Sequence, residues 1–517
     1  VNTMKSVLIK EEITMKKKSI ILCSAAFLSA MISCQKENIS SPQQDNQIHK
    51  TVTIADESWS DGTVSKSLYE EGIGVHLTKL ENMSVYYWKY TEGVTAPASN
   101  CPLNTLMTTD EKNKNITGAE AETSGNWKFS HAEIDNATKY NYFFIIPHAS
   151  TNALNSTKTG HSFRLSSVQF PENLHKFNGN GASSLSFDPT MDCHIGEAQY
   201  GVDKADKMSD IHFKRVFTPL KLTITDSGNI LGEEAIYSVT LRSDAEAKQK
   251  QTLTGVAYFN HSNNYEEAKV SSIGSSTVGN GVTTLYTEPL KKTDECYTTW
   301  YIVNPTTIPA SNLTVSVTTA TKTITRTVAT TAELQIIADK INTLSFDISG
   351  EGYSTETTDF YNFTTLTNLN KQDINTVAGS NTKEKPWSKN ACNLLKDVGN
   401  SYFTNAFRIP SNGSLKYTAI EGKKLKKVRF YGHPRAQTIS NTRTVSVIVK
   451  SGDTEIGRML MSFDNLSKNG GYDEFEVPET YASSDLTFGY FDAEIAISAA
   501  QLFFTEAQES TTAAIAD

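Results

Sequence analysis

Ile211-His212-Phe213-Lys214-Arg215-Val216-Phe217-Thr218-Pro219-Leu220-Lys221-Leu222-Thr223-Ile224-Thr225 is a run of apolar, aromatic and β-branched residues with polar ones interleaved, and it reads as strand. The same texture recurs on both sides of it, in Thr51–Ile54, Met83–Tyr90, Lys139–Ile146, Tyr237–Arg242, Thr298–Val303, Leu313–Thr318 and Ile341–Ile348. Clusters of Gly, Asn, Asp and Ser separate these runs. Helical periodicity is scarce, and Leu231–Ala235 supports at best a single turn. Strands without intervening helices exclude a βαβ sheet, so the chain reads as all-β and built of sandwiches.

The chain has 517 residues with a net charge of -9 and 20% charged residues, which leaves ample apolar material for several cores. The acidic balance offers no basic footprint, so nucleic acid is not expected as a partner. Ahead of the strands, Met15 is followed by Lys16, Lys17 and Lys18, then by an apolar run from Ser19 to Ala30 and by Met31-Ile32-Ser33-Cys34. A cationic start, a short apolar stretch and small residues before a cut are the anatomy of a secretory signal, too short to span a bilayer. Residues 15–33 are therefore expected to be cleaved, residues 1–14 to be an upstream extension, and residues 34–50, polar and almost without apolar side chains, to be a tether.

Composition divides the rest into blocks: residues 51–207, residues 208–349, a Gly-containing polar linker over 350–358, a third block over 359–508 and an unstructured tail over 509–517. Beyond Cys23 and Cys34 the cysteines are Cys101, Cys193, Cys296 and Cys392, far apart, with no CxxC. Four cysteines allow three pairings and their spacing selects none; buried thiols are the simplest expectation.

The third block alternates well. Phe407–Pro410, Leu425–Gly432, Thr444–Val449, Tyr472–Pro478, Asp485–Tyr490 and Ala500–Phe504 are strand-like, a density that suits a jelly roll. Sugar recognition on such a fold needs flat aromatic faces beside amides or charges. The candidates are Trp387, Tyr402, Tyr431, Tyr472 and Tyr490, with Asn390, Arg435 and Asp492 as polar partners. Trp387, between Pro386 and Ser388 in a polar stretch, is the least core-like of the aromatics. Asp464, Asn465, Asp473 and Glu474 bracket a Gly470-Gly471 turn but match no calcium-loop spacing, so no metal is expected.

Met31-Ile32-Ser33-Cys34 resembles the lipobox of bacterial lipoproteins, which implies that Cys34 becomes the first residue and carries the lipid, palmitate included, anchoring the chain to the outer membrane. Gln35-Lys36-Glu37 resembles the signals for surface display found just after that cysteine. Trp127, the run Tyr140–Pro147, Asp188-Pro189-Thr190, Ile211–Ile224, Leu253–Ala257, Tyr301–Pro305 and Asn342–Ile348 together resemble the fimbrillin family of Bacteroidales. That resemblance, over residues 34–348, implies two tandem transthyretin-like β-sandwiches on a cell-surface fimbrial subunit. Its partners would be other subunits that donate a strand to a sheet lacking one, after a protease removes the leader and first strand. Processing in that family follows an arginine near the first domain, and here no Arg precedes Arg164, which leaves Lys50 as the candidate site. The third block resembles carbohydrate-binding jelly rolls of Bacteroides surface proteins, implying a host or dietary glycan, or a protein, as ligand. A domain of that size after the second sandwich favours a tip position over a repeating one.

No HExxH, GxSxG, P-loop or helix-opening GxGxxG occurs, and the ten histidines are scattered, so neither catalysis nor a cofactor is expected. Two readings from different classes result: a fimbrial subunit or adhesin of tip type, and a monomeric surface lipoprotein for glycan capture.

Overall fold

Tyr140, Tyr142 and Phe144 pack into one core while Phe143 and Ile145, the alternate residues of the same strand Lys139–Ile146, pack into another. A strand buried on both faces has no polar side, which is why this stretch reads as nearly continuous apolar sequence. It runs through the middle of an eight-stranded sheet. Met83–Lys89 pairs with it on one side and His194–Gly196 on the other, and Phe213–Arg215 continues the sheet beyond His194–Gly196. Among the described residues, Gln47–Thr53 is the edge strand at the opposite end.

The computed structural model describes residues 47–53, 68–70, 74–76, 83–94, 103–109, 126–146, 161–170, 187–188, 191–205, 208, 211–243, 252–259, 270–273, 279–337, 341–366, 372–377, 385–395, 406–435, 444–462, 469–489 and 494–505. The chain divides into units 1–47 and 48–517, and all that follows concerns the second. The fold is all-β, as its composition and texture predict. Ile230 and Leu231 form a turn in place of the single helical turn expected there, their amides donating to the Asp226 carboxylate over 2.9 and 2.8 Å.

The stretch Ile211–Thr225 is two strands, not one. Phe213–Arg215 belongs to the eight-stranded sheet, and after a bend at Val216 and Phe217 the chain resumes as Thr218–Thr225 in a different, three-stranded sheet. There it pairs antiparallel with Cys296–Val303 and parallel with Asn342–Asp347. This sheet packs Leu220, Leu222, Ile224, Tyr301 and Phe346 against Val239, Leu241, Val315, Val317 and Ile324 of a second sheet made by Ile236–Ser243, Gly281–Leu290, Leu313–Thr318 and Lys322–Val328. The first and second sandwiches are stitched together. His161–Leu165 pairs with Gly255–Phe259, and Val168–Gln169 adds parallel to Gly281–Leu290.

The C-terminal sandwich has Ala406–Ile409, Glu494–Thr505, Lys424–Arg435 and Tyr472–Glu476 in that order in one sheet, and Ser414–Tyr417, Leu486–Gly489, Thr444–Ser451 and Thr454–Ser462 in the other. Eight strands in two sheets, with successive strands alternating between them except at the hairpin Thr444–Ser451/Thr454–Ser462, make a jelly roll. Val428, Phe430, Leu415, Val447, Phe488 and Leu502 fill the space between.

The expected linker at 350–358 is a turn followed by strand. Ser354–Asn362 pairs through residues 354–357 with Lys322–Thr325 of the second sandwich and through 358–362 with Ala499–Phe503 of the jelly roll. Thr355 and Thr357 carry β-branched side chains that suit a strand, and the stretch reads as a linker in sequence because its strand partners are remote. Likewise the tether expected up to residue 50 is already strand from Gln47.

Candidate functional site

Trp387 opens the strand Trp387–Asn390, which pairs with Ser414–Tyr417. Its indole is 3% exposed and meets Tyr361, Tyr417, Phe430 and Phe488 at ring separations of 6.1, 5.9, 6.1 and 6.2 Å. It is a core residue of the jelly roll, contrary to the expectation of a loop aromatic; its polar neighbours in sequence hide an apolar surrounding supplied by distant strands. The backbone of Trp387 is held by an amide clip. Its N–H donates to Asn375 Oδ1 over 2.8 Å and its carbonyl accepts from Asn375 Nδ2 over 2.9 Å, so a side-chain amide takes the place of a neighbouring strand. Asp373 fixes that amide by accepting from Asn375 Nδ2 over 2.7 Å. Lys385 at 2.8 Å, with the Asn375 bonds, holds the Asp373 carboxyl down at about 2. Asn390, at the other end of this short strand, is exposed opposite Ser414.

Tyr431 and Tyr472 are also buried, on the face of the jelly roll turned toward the second sandwich. Along Lys424–Arg435, Val428 and Phe430 point into the jelly-roll core, leaving Lys427, Arg429 and Tyr431 on the opposite face. The Arg429 guanidinium lies 3.8 Å from the Tyr472 ring centroid and 4.8 Å from that of Phe503. It donates to Glu474 Oε1 over 2.7 Å, to the Tyr431 hydroxyl over 3.1 Å and to Gln501 Oε1 over 3.3 Å. Burial opposes its charge, but Tyr431, Tyr472 and Glu474 outweigh that cost and raise its pKa further above the ordinary arginine value. Gln501 in turn donates to Thr323 of the second sandwich. Neither tyrosine offers a free ring face to a sugar; the stacking partner that Tyr472 has is a cation of its own chain.

Of the carboxylates near Gly470-Gly471, the two described ones, Asp473 and Glu474, are engaged by their own chain. Glu474 is engaged by Arg429 and by Lys427 at 3.1 Å. Asp473 accepts from the Glu474 amide over 2.9 Å, and burial pushes its carboxyl up to about 6. Among the described residues no group of three His, Cys, Asp or Glu is placed to hold a metal ion. Arg435 lies opposite Glu494 in the strand register. Tyr402, Tyr490, Asp492, Asp464, Asn465 and Cys34 fall outside the described residues.

Lys50 sits within the strand Gln47–Thr53 and not ahead of it, is 3% exposed, and donates from Nζ to the Asp203 carbonyl. Beside it lies His131, whose ring is 4.0 Å from Tyr87 and whose Nε2 is 3.0 Å from the Tyr142 hydroxyl. Cys193, Cys296 and Cys392 are free thiols, and Cys101 lies outside the described residues. Next to Cys193, Asp192 accepts two bonds from Arg215 over 2.7 and 2.8 Å, in full burial, and His194 Nε2 is 3.7 Å from the same carboxylate. Burial drives the His194 pKa down to about 4 despite Asp192.

Of the residues that organise this half of the molecule, Asn375 and Arg429 are not among those the sequence singles out, and Gly470-Gly471 is noted there only as a turn between carboxylates. Only one signal pointed to them: the alternation Lys427-Val428-Arg429-Phe430-Tyr431 places cations on a face that a free sheet would leave in water.

No family model and no curated protein matches this chain. Solved structures similar to it include a Bacteroides uniformis protein named for cell adhesion, at 13% identity and a TM-score of 0.32, covering 61% of this chain and 97% of that one. A Bacteroides ovatus protein of the same designation has 14% identity and a TM-score of 0.32, covering 54% and 86%. A fimbrial assembly protein from Parabacteroides distasonis has 9% identity and a TM-score of 0.22, covering 60% and 94%.

Proposed function

We propose that the chain is a surface subunit of fimbrial or adhesin type, lipid-anchored through Cys34, in which serial sandwiches carry a C-terminal jelly roll outward to a glycan or protein ligand. The observation that carries this reading is the position of Gln47–Thr53. The first strand of the fold lies at a sheet edge, with Ile48 packed beside Val85, Phe129 and Tyr142, so its departure would open an apolar trough and a row of backbone donors and acceptors. Another chain's strand is the natural occupant of such a trough.

Lys50 is a poor processing site as long as that strand is in place, because a protease needs an extended, accessible backbone and Lys50 is buried in a ladder. The two states are alternatives: with Gln47–Thr53 in place the chain keeps its Cys34 anchor, and with that strand lost the trough takes a donor strand. Mature protein isolated from outer membranes is expected to have a blocked, acylated N-terminus at Cys34; a free start at Thr51 overturns permanent anchoring and supports strand removal. Copurification with other subunits, or a ladder of linked species on a partially denaturing gel, is the expected sign of assembly, and a strictly monomeric protein that binds polysaccharide tightly would instead favour glycan capture.

A further inference from the structure

We infer that the jelly roll is the permanent intramolecular complement of the second sandwich, supplying both an edge strand and a face cover, so that the two behave as one rigid body and not as a module on a hinge. Three independent contacts carry this. The first is the shared strand: residues 354–357 close the Lys322–Thr325 edge and residues 358–362 run on into the jelly-roll sheet, with no residue between the two pairings. A hinge needs residues free to change φ and ψ, and here both neighbours of the changeover are held in ladders.

The second contact is a plug. Gly470 and Gly471, at φ +88° and +91°, press against the second sandwich. A Cβ on Gly471 would lie 2.2 Å from Val168 Cγ2, one on Gly470 2.8 Å from Thr240 Cγ2, and one on Gly281 2.5 Å from Gly470 N. Thr283 donates its hydroxyl to the Gly470 carbonyl and lies 2.7 Å from Thr240 Oγ1, while Gly432 N donates to the Gly471 carbonyl over 3.0 Å. Only glycine fits at this turn, for its backbone angles and for the close approach alike.

The third is a mixed core. Phe360, Tyr431 and Tyr472 pack with Val168 and Leu285, and Asn362 Nδ2 donates to the Tyr286 carbonyl over 2.7 Å. The Arg429 cluster reaches across through Gln501 to Thr323. The face that bears Tyr431 and Tyr472 is therefore occupied by this chain, and any external ligand of the jelly roll meets its other sheet or its loops.

The test uses the full chain with a specific protease site built into the exposed turn at Glu351, Gly352 and Tyr353. After cutting, the protein is expected to migrate as one particle in gel filtration at micromolar concentration and to unfold in a single transition. Gly471→Val should weaken association of the cut pieces at least a hundredfold; Arg429→Met, which keeps the stem and removes the guanidinium, should weaken it at least tenfold and covers the case in which the glycine variant does not fold. Separation of the cut wild-type protein into two pieces, two independent unfolding transitions, or unchanged association in the variants would overturn the inference.

Discussion

The second sandwich is gripped on two sides by chemically opposite interfaces. Toward the first sandwich the contact is apolar: Phe217, Trp300 and Ile302 join Tyr86, Phe143, Leu165 and Phe187 in one core, with Phe187 and Trp300 ring to ring at 6.1 Å. Beside the strand pairings that stitch the two together, Gln169 adds a polar clip: its amide accepts from Ile302 N over 2.8 Å and donates to Ile302 O over 2.7 Å. Toward the jelly roll, hydroxyls, glycines and a buried guanidinium join the small core of Phe360, Tyr431, Tyr472, Val168 and Leu285. The apolar joint gains from area and tolerates change of shape within limits, whereas the polar joint holds only while each donor keeps its acceptor.

Trp300→Ala should give the largest loss, about 3–5 kcal/mol of unfolding free energy, since it empties a fully buried indole site; denaturant titration measures it. Arg429→Ala comes next at about 3 kcal/mol, because it leaves half-buried Glu474 with Lys427 alone and removes the bonds to Tyr431 and Gln501. If the polar joint works as described, Arg429→Met combined with Glu474→Gln recovers most of that loss in a double-mutant cycle. Simple additivity there would show that the two side chains do not act together.

The joints also differ in their response to acid. His194, on the first side, has a folded pKa of about 4 against 6.5 unfolded, so the unfolded chain binds the extra proton between those values and stability falls as pH drops from 6.5 toward 4. Asp473, beside the second joint, has a folded pKa of about 6 against 3.8 unfolded, so the native state holds the extra proton and stability falls as pH rises from about 4 to 6. Each slope is worth up to about 2–3 kcal/mol at one pKa unit per 1.36 kcal/mol. Unfolding measured from pH 4 to 7 should lose the first slope in His194→Gln and the second in Asp473→Asn. Gln169→Ala and Asn375→Ala, each removing one amide clip, are expected to cost about 1–3 kcal/mol. Asn390→Ala, exposed at the end of its strand, should leave the melting temperature unchanged.

Much of this architecture is legible in the amino-acid sequence. Lys139–Ile146 and Leu313–Thr318 are strands to the residue, and six of the eight jelly-roll strands overlap runs that alternation marks, Ser414–Tyr417 and Thr454–Ser462 being the two it leaves out. What escapes is whatever depends on remote partners. Ser354–Asn362 looks like linker because Ser, Thr and Glu dominate its first half, and only pairing with 322–325 makes it a strand. Trp387 looks exposed because its neighbours in sequence are polar, whereas its neighbours in space are aromatic. Tyr431 and Tyr472 have the composition of a ligand platform, and the same composition serves here to receive an arginine. A carbohydrate platform and a polar domain joint draw on the same residue types, so spacing alone does not separate them.

Under the proposed anchoring at Cys34 and ligand binding by the jelly roll, the bend at Val216 and Phe217 has a mechanical consequence. Tension entering the second sandwich does so through Thr218–Thr225, which pairs with Cys296–Val303 along its whole length and with Asn342–Asp347 from Leu220 onward. Tension leaving it does so through Ser354–Asn362, likewise laddered into its neighbours. Pulled along their length, such strands load many hydrogen bonds together instead of unzipping them singly, so this segment is built to yield late under shear.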